Sequence, residues 1–435
     1  MVTTSLLTDQ YELTMVQAGL ASGTAHRRGV FELFARRLPD GRRYGVVAGT
    51  GRFLRALADF RFDDDDLAWL SARKIVDKPT LRWLSEYRFG GSIWGYAEGE
   101  CYFPYSPVLV VEGTFAEAVV LETVALSIFN HDSAIASAAS RMAMVAGERP
   151  CVEMGSRRTH EAAAVASARA AYVAGFTATS NLAAGRRYGI PTMGTAAHSF
   201  TLLHDDERDA FVSQVTTLGV DTTLLVDTYD VTDSVELAIR IAGPQLGGVR
   251  LDSGDLLAQA WEVRKQLDDL GASDTKIVVT SDLDEYAIAA LAAGPVDAYG
   301  VGTSLVTGSG HPTASMVYKL VSREGPDGTM KPVAKESKNK SSVGGRKWAL
   351  RRLDERHRAQ EEVIGIGRRP QRDDNDRELL VPLVVDGQID DAVLGPDALQ
   401  QARDRHQRSL DELPRAATRL QRGDPVIPTR HEEYP

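Results

Sequence analysis

Between residues 150 and 310 the chain repeats one pattern that sharply limits its fold. Short apolar runs end in polar, charged or glycine residues: "TLLVDTYD", "GGVRLDSGD", "KIVVTSDLDE" and "DAYGVGTS". Segments of helical periodicity separate them. Runs this short fit buried strands better than helices, and strands spaced by helices imply right-handed strand–helix–strand units in a parallel sheet. In such folds the carboxyl ends of the strands carry the functional groups, and in a closed barrel they all face one mouth. An α/β barrel is the first reading and an open doubly wound sheet the second.

The flanks read differently. Residues 1–115 mix apolar runs with glycines and turns, as in "RRYGVVAGTGRFL" and "GGSIWGYAEGE", and "SPVLVVEG" reads as a strand. The run Asp63 to Asp66 reads as a helix cap, because carboxylates favour helix N-termini. Val120, Val124 and Ile128 recur at helical spacing, which predicts one amphipathic helix through "AEAVVLETVALSIFN". Residues 116–324 are expected to form the barrel. Residues 325–435 are basic and polar at first, with a loop expected at Lys338 to Arg346 and a strand in "LLVPLVVDGQI" that turns at Asp386-Gly387.

The 435 residues are 43% hydrophobic and 25% charged, ordinary for a globular chain. A net charge of -10 argues against nucleic acid or an anionic membrane as the main partner, although a local basic pocket for a small anion is compatible with it. The two cysteines, Cys101 and Cys151, have neither metal-ligand spacing nor a disulfide framework. No apolar run reaches the length of a membrane span, and "MVTTSLLTDQYELT" lacks the features of a signal peptide. A soluble protein of the reducing cytoplasm is expected.

The strand ends carry the chemistry. Arg250 and Asp252 stand two apart in "VRLDSGDL", on one face of a strand. Arginine takes oxyanions, while a carboxylate takes hydroxyls or Mg²⁺. The alternative is a structural ion pair beside a helix cap. Gly300, Gly302 and Thr303 form a strand-to-helix turn that lets backbone approach a phosphate, and Ser281 and Asp282 end the preceding strand and can share that site. Arg157 and Arg158 follow a glycine in "VEMGSRRTH". His198 in "PTMGTAAHSF" has no second histidine at metal spacing and no nucleophile elbow, so spacing alone leaves a structural residue or a phosphoryl acceptor open.

In order along the chain, "LLTDQYELTM", "FELFARRLP", "EMGSRR", "SNLAAGRRYGIPTMGTAAHSF", "LLVDTYD", "GVRLDSGDL" and "GVGTS" resemble the nicotinate phosphoribosyltransferase family. The resemblance implies a type II phosphoribosyltransferase fold: an irregular α/β barrel plus an α/β sandwich domain built from both chain ends, working as a homodimer with shared active sites. It implies that nicotinate and phosphoribosyl pyrophosphate give nicotinate mononucleotide and pyrophosphate, coupled to ATP hydrolysis and assisted by Mg²⁺, whose ligands the sequence leaves unknown.

Residue by residue, the resemblance places Tyr11 on the pyridine ring, often across the dimer interface, and Thr195 and Arg250 at the nicotinate. Asp252 falls at the ribose hydroxyls, and Thr303 with Gly300 and Gly302 at the ribose phosphate. Arg157 falls near the pyrophosphate, Arg36 matches a residue reaching in from the partner subunit, and His198 is the residue phosphorylated by ATP.

One position separates acid from amide, and two others depart from the family pattern. Ser180 stands where relatives that use nicotinamide carry an aspartate, which favours the acid over the amide. Met154 replaces a phenylalanine under the substrate ring, and Gly344 replaces a proline in the loop. The rival readings are a nicotinamide phosphoribosyltransferase, a quinolinate phosphoribosyltransferase, which has no need of this histidine, and a non-catalytic sensor of phosphoribosyl pyrophosphate or the mononucleotide.

Overall fold

The computed structural model describes residues 3–335 and 342–432. Lys338 and the three residues after it, the first part of the expected loop, lie outside the described residues. The chain divides into two compact units, one of Met1–Ala134 with Thr313–Pro435 and one of Ile135–Pro312. Residues 116–134 and 313–324, assigned to the barrel on sequence, group with the first unit. No helix among the described residues is long and apolar enough to cross a membrane.

The first unit is built around the strand Arg28–Ala35, which is buried along nearly its whole length. On one side it pairs antiparallel with Met316–Glu324, from Gly29 opposite Arg323 to Ala35 opposite Met316. On the other it pairs antiparallel with Leu109–Thr114. Ser92–Tyr96, Leu380–Val385 and the short strands Met330–Pro332 and Gln388–Ile389 complete a seven-stranded sheet. Both chain ends therefore interleave in one sheet, and the strand Met316–Glu324 is what draws residues 313–324 out of the expected barrel. The fully buried Leu33, Ile93, Val110 and Val111 lie in its core. The expected hairpin at Asp386-Gly387 is present, both residues holding positive φ (48° and 76°) as a tight strand turn needs.

Two local signals behave as their chemistry dictates, one with a correction. Asp63 caps the helix Asp64–Ala72, and Asp66 reaches back in a capping box. The single helix expected through residues 116–130 is instead two, Phe115–Val119 and Glu122–Ala146. Thr114 and Glu117 form a capping box that starts the first. The buried Glu12 carboxylate takes the Thr123 N–H at 3.0 Å and so satisfies the start of the second. Periodicity continues across the break because both helices bury the same kind of face.

A second sheet of the first unit, Arg377–Glu378, Lys347–Leu353, Ala359–Ile366 and Thr429–Glu432, is fastened by one guanidinium. Arg351 is fully buried and donates to Glu100 at 2.9 Å, Glu362 at 2.6 Å and the Cys101 carbonyl at 2.7 Å. Burial raises the Glu100 carboxyl, but Arg351 and Arg377 overcome it and hold it at about 2. Nearby, Lys347 pairs with the buried Glu32 at 2.5 Å. Gly344, three residues earlier, has no left-handed φ, yet a Cβ there would lie 2.9 Å from the Val333 carbonyl oxygen. A proline has no room at this position unless that backbone shifts.

The second unit holds a six-stranded parallel sheet, in the spatial order Ala178–Thr179, Cys151–Glu153, Ala298–Val301, Lys276–Ser281, Gly248–Leu251, Thr223–Leu225. Within this sheet the last strand in chain order, Ala298–Val301, lies beside the first, Cys151–Glu153. Read as a cycle, the order follows the chain, and only Ala178–Thr179 and Thr223–Leu225 are unpaired neighbours. Beside that opening, Thr179 bridges in parallel to Thr192, and Met193 N–H donates to the Thr179 carbonyl at 3.1 Å. The segment ahead of His198 thus runs along the edge of the sheet.

Removing the Arg351 guanidinium leaves two carboxylates buried without their common partner. Arg351→Met is expected to cost about 3–5 kcal/mol, read as a lower urea midpoint for the first unit.

Candidate active site

All six parallel strands end around one region, and five of the ends line a single cavity of about 490 Å³. The strand Cys151–Glu153 delivers Met154, Arg157 and Arg158, and Ala178–Thr179 delivers Ser180. Arg250 and Asp252 come from the end of Gly248–Leu251, Ser281 and Asp282 from Lys276–Ser281, and Gly300, Gly302 and Thr303 from Ala298–Val301. Thr195, from the edge segment, lines it as well. Three arginines and two carboxylates therefore share one polar hollow.

The floor is tight where glycine is required. A Cβ on Gly300 would stand 2.7 Å from Met154 Sδ and 2.5 Å from Thr280 Cγ2. Met154 is fixed there by its N–H, which donates to the Val301 carbonyl at 2.8 Å. Ser281 holds a φ of 143°, a backbone conformation that costs a non-glycine residue of order 1–3 kcal/mol and clusters at functional sites.

Arg250 organises one wall. Its Nη1 donates to Thr195 Oγ1 at 2.5 Å and to the Ala196 carbonyl at 3.1 Å, while its Nε is buried without a partner. Burial lowers the guanidinium pKa, Asp252 and Asp227 oppose that, and Arg157 adds to it. An anion entering between Arg157 and Arg250 relieves their mutual repulsion. Asp252 is itself oriented: Thr280 Oγ1 donates to its carboxylate, and its own N–H donates to Asp227 Oδ2 at 2.9 Å.

His198 opens the helix His198–Leu203 beside this wall. Its Nδ1 lies 3.1 Å from Thr228 Oγ1, and its Nε2 lies 3.9 Å from Asp227 Oδ1 and 4.0 Å from Asp252 Oδ2. The side chain is 39% exposed, so the ring is held by neighbours yet open to a reactant. The Asp227 side chain is 2% exposed, and its Oδ1 has no hydrogen-bond partner. Its Oδ2 accepts from the Asp252 N–H and from Ser253 Oγ, so the carboxylate is oriented with Oδ1 toward the imidazole.

Comparison with known proteins decides the family. Residues 6–130 match the nicotinate phosphoribosyltransferase (NAPRTase) N-terminal domain, and residues 150–360 match the nicotinate phosphoribosyltransferase (NAPRTase) family. The chain belongs to the nicotinate phosphoribosyltransferase family. It is 57% identical over 434 residues to nicotinate phosphoribosyltransferase pncB1 of Mycobacterium tuberculosis, covering 98% of this chain and 94% of that protein. It is 38% identical to the Bacillus subtilis nicotinate phosphoribosyltransferase over 83% of this chain and 76% of that protein. Its fold resembles the crystal structure of human nicotinic acid phosphoribosyltransferase, with a TM-score of 0.83 at 26% identity over 98% of each chain.

Most residues singled out on sequence within the second unit thus converge. His198 stands beside the cavity, tied to it through Asp252. Tyr11 and Arg36 belong to the first unit. Tyr11 sits 46% exposed on the helix Gln10–Ser22, where burial and the carboxylates of Glu122, Glu12 and Asp9 push its hydroxyl up to about 12. Arg36, its Nε buried and unpartnered, lines a cavity of about 410 Å³ with Arg37 and Arg422. Among the described residues no group of three or more His, Cys, Asp or Glu is placed to hold a metal.

Sequence reasoning missed Asp227, Thr228 and Glu153. The first two stand in the quoted "LLVDTYD", and the polar end of that apolar run was the available signal. Glu153 likewise stands in the quoted "EMGSRR", at the polar end of a short apolar run, but a lone acid in a strand reads as solvent-facing.

The floor geometry has a direct consequence. Gly300→Ala overpacks against Met154 and should cost about 1–3 kcal/mol of stability, measured by denaturant unfolding. Gly194→Ala, where a Cβ meets nothing within 4 Å and φ is not left-handed, serves as the neutral control.

Proposed function

We propose that this chain is an ATP-coupled nicotinate phosphoribosyltransferase that joins nicotinate to phosphoribosyl pyrophosphate and releases pyrophosphate, a step of NAD salvage. The observation that carries the reading is the meeting of Arg157, Arg250, Asp252 and the Gly300–Thr303 turn around one cavity. Its size lies in the range of small-molecule sites. In this reading the six-stranded sheet is the paired part of the irregular barrel of type II phosphoribosyltransferases, and the first unit is the sandwich domain. The cyclic strand order with one open junction supports the barrel.

The roles follow from chemistry. The pyridine nitrogen carries a free lone pair, so attack on the anomeric carbon needs no general base. The work of the site is then positioning and stabilisation of charge. Arg157 and Arg250 face the departing pyrophosphate, Asp252 holds ribose hydroxyls, and Gly300, Gly302 and Thr303, with Ser281 and Asp282 alongside, cradle the ribose phosphate. Thr195, Arg250, Ser180 and Met154 surround the pyridine acid, the thioether packing on the ring face.

Mg²⁺ is typically held by one or two carboxylates plus substrate phosphates rather than by an all-protein cage. Asp252 and Asp282 in the cavity lining fit that donor set. When bound, the ion neutralises diphosphate charge. His198, between Thr228 and the Asp227–Asp252 pair, takes the phosphoryl group of ATP and couples its cleavage to turnover. Tyr11 and Arg36 complete the site across a homodimer. Cys101 and Cys151, both free and buried, fit a reducing cytoplasm.

Ser180 in the lining favours the acid over the amide. An aspartate there would repel a pyridine carboxylate by about 1–4 kcal/mol at intermediate to high dielectric.

The test is pyrophosphate release from phosphoribosyl pyrophosphate with nicotinate or nicotinamide, with and without ATP. Faster release with nicotinate, stimulated by ATP, is expected. Release only with nicotinamide assigns the amide, and binding without release assigns a sensor. Ser180→Asp should shift the acid-to-amide ratio toward the amide by roughly tenfold or more, by the same Coulomb argument. His198→Ala should lose the ATP stimulation and any acid-labile phosphate while retaining slow ATP-independent turnover.

A further inference from the structure

Glu153 closes the strand Cys151–Glu153 and is completely buried. Burial raises its pKa, and only hydrogen bonds from Thr179 and Gly155 work against that. A carboxylate taken out of water without a cation is costly, often by several kcal/mol. What it offers in return is a hydrogen-bonding atom toward each segment at once, which an amide also supplies and an apolar side chain does not.

Glu153 uses that capacity to join two segments. Oε1 accepts the Gly155 N–H at 2.5 Å, and Oε2 accepts the Thr179 hydroxyl at 2.5 Å. Thr179 Oγ1 in turn accepts the Asn181 N–H at 2.9 Å, and Asn181 Nδ2 donates to Ser156 Oγ at 2.9 Å. The first segment carries Met154 and Arg157 into the cavity, and the second carries Ser180. Gly155 is closely packed, since a Cβ there would stand 2.2 Å from Val306 Cγ1. Main-chain pairing already aligns the two strands, with the Ser180 N–H donating to the Glu153 carbonyl at 2.8 Å, and the carboxylate, which does not itself line the cavity, adds a side-chain link from that ladder to the Gly155 turn.

We propose that the Glu153 side chain is a positioning group that, beyond the main-chain pairing of the two strands, holds the Gly155 turn against Thr179 and so refines the placement of Met154 relative to Ser180, and hence the fit of the pyridine acid. This rests on the nicotinate reading of the cavity given above.

Four variants test it: Glu153→Leu, Glu153→Gln, Thr179→Val and the double Glu153→Leu/Thr179→Val. Steady-state kinetics with nicotinate and hydrogen exchange at the Gly155 amide are the readouts. Glu153→Leu should raise the nicotinate KM roughly tenfold with a smaller change in kcat, the size expected for orphaned buried donors. Glu153→Gln keeps an acceptor for Gly155 and a donor to Thr179, and should stay within about threefold of wild type. Thr179→Val should raise KM a few-fold without changing Gly155 exchange. The double variant should be no worse than Glu153→Leu, because both changes remove the same link.

A folded Glu153→Leu with unchanged KM and unchanged Gly155 exchange overturns the proposal. So does a Glu153→Gln as impaired as Glu153→Leu, which would make the charge rather than the link the active property. If Glu153→Leu does not fold, Thr179→Val decides alone: a few-fold rise in KM supports the link and no change overturns it. If wild type turns over no nicotinate, the functional reading fails, and Gly155 exchange in Glu153→Gln and Glu153→Leu still decides whether the link exists.

Discussion

A half-buried guanidinium needs partners for its donors, and the partial set that Arg250 finds shapes the site. Its Nη1 pins Thr195 and the Ala196 carbonyl, and so anchors the edge segment that leads into His198. Asp252, two residues on, and Asp227 at the neighbouring strand end supply the opposing charge, and the same Asp227 lies against the His198 ring. One residue thereby holds the edge segment and faces the two carboxylates that lie near the imidazole. Its Nε is left buried and free. That is the kind of unmet donor a bound anion satisfies.

The parallel sheet makes this convergence possible. Six strands run in one direction, so their polar carboxyl ends gather while their apolar bodies pack between helices. The gap between Ala178–Thr179 and Thr223–Leu225 is where the sheet stops following the chain's own cycle. Residues 191–193 run along Thr179 there, and the His198 helix starts a few residues later. The energy-coupling residue of the proposed mechanism thus follows the segment that lies along the open junction of the sheet.

Much of this was legible in the sequence. Apolar runs with polar tails mark strand ends directly, which is why Arg250, Asp252, Ser281, Asp282, Gly300 and Thr303 could be named and are found around one cavity. The capping of Asp64–Ala72 and the Asp386-Gly387 turn were legible for the same reason: their chemistry is local. Pairing was not. Nothing periodic in residues 316–324 says that they will lie against residues 28–35, so the border of the first unit falls elsewhere than expected. The break before Glu122 was hidden because Glu12, which satisfies the new helix start, is more than a hundred positions away in the chain. Asp227 and Glu153 were hidden because a buried carboxylate and an exposed one are the same letter.

The central claim is that the strand-end cavity of the second unit is where the pyridine ring and the ribose phosphate bind. A crystal structure with nicotinate mononucleotide tests it most directly. The account predicts the phosphate at Gly300–Thr303, the ribose hydroxyls at Asp252, and the pyridine carboxylate beside Arg250, Thr195 and Ser180. Density for the nucleotide elsewhere, with Arg250 still bound only to Thr195 and Ala196, would contradict it.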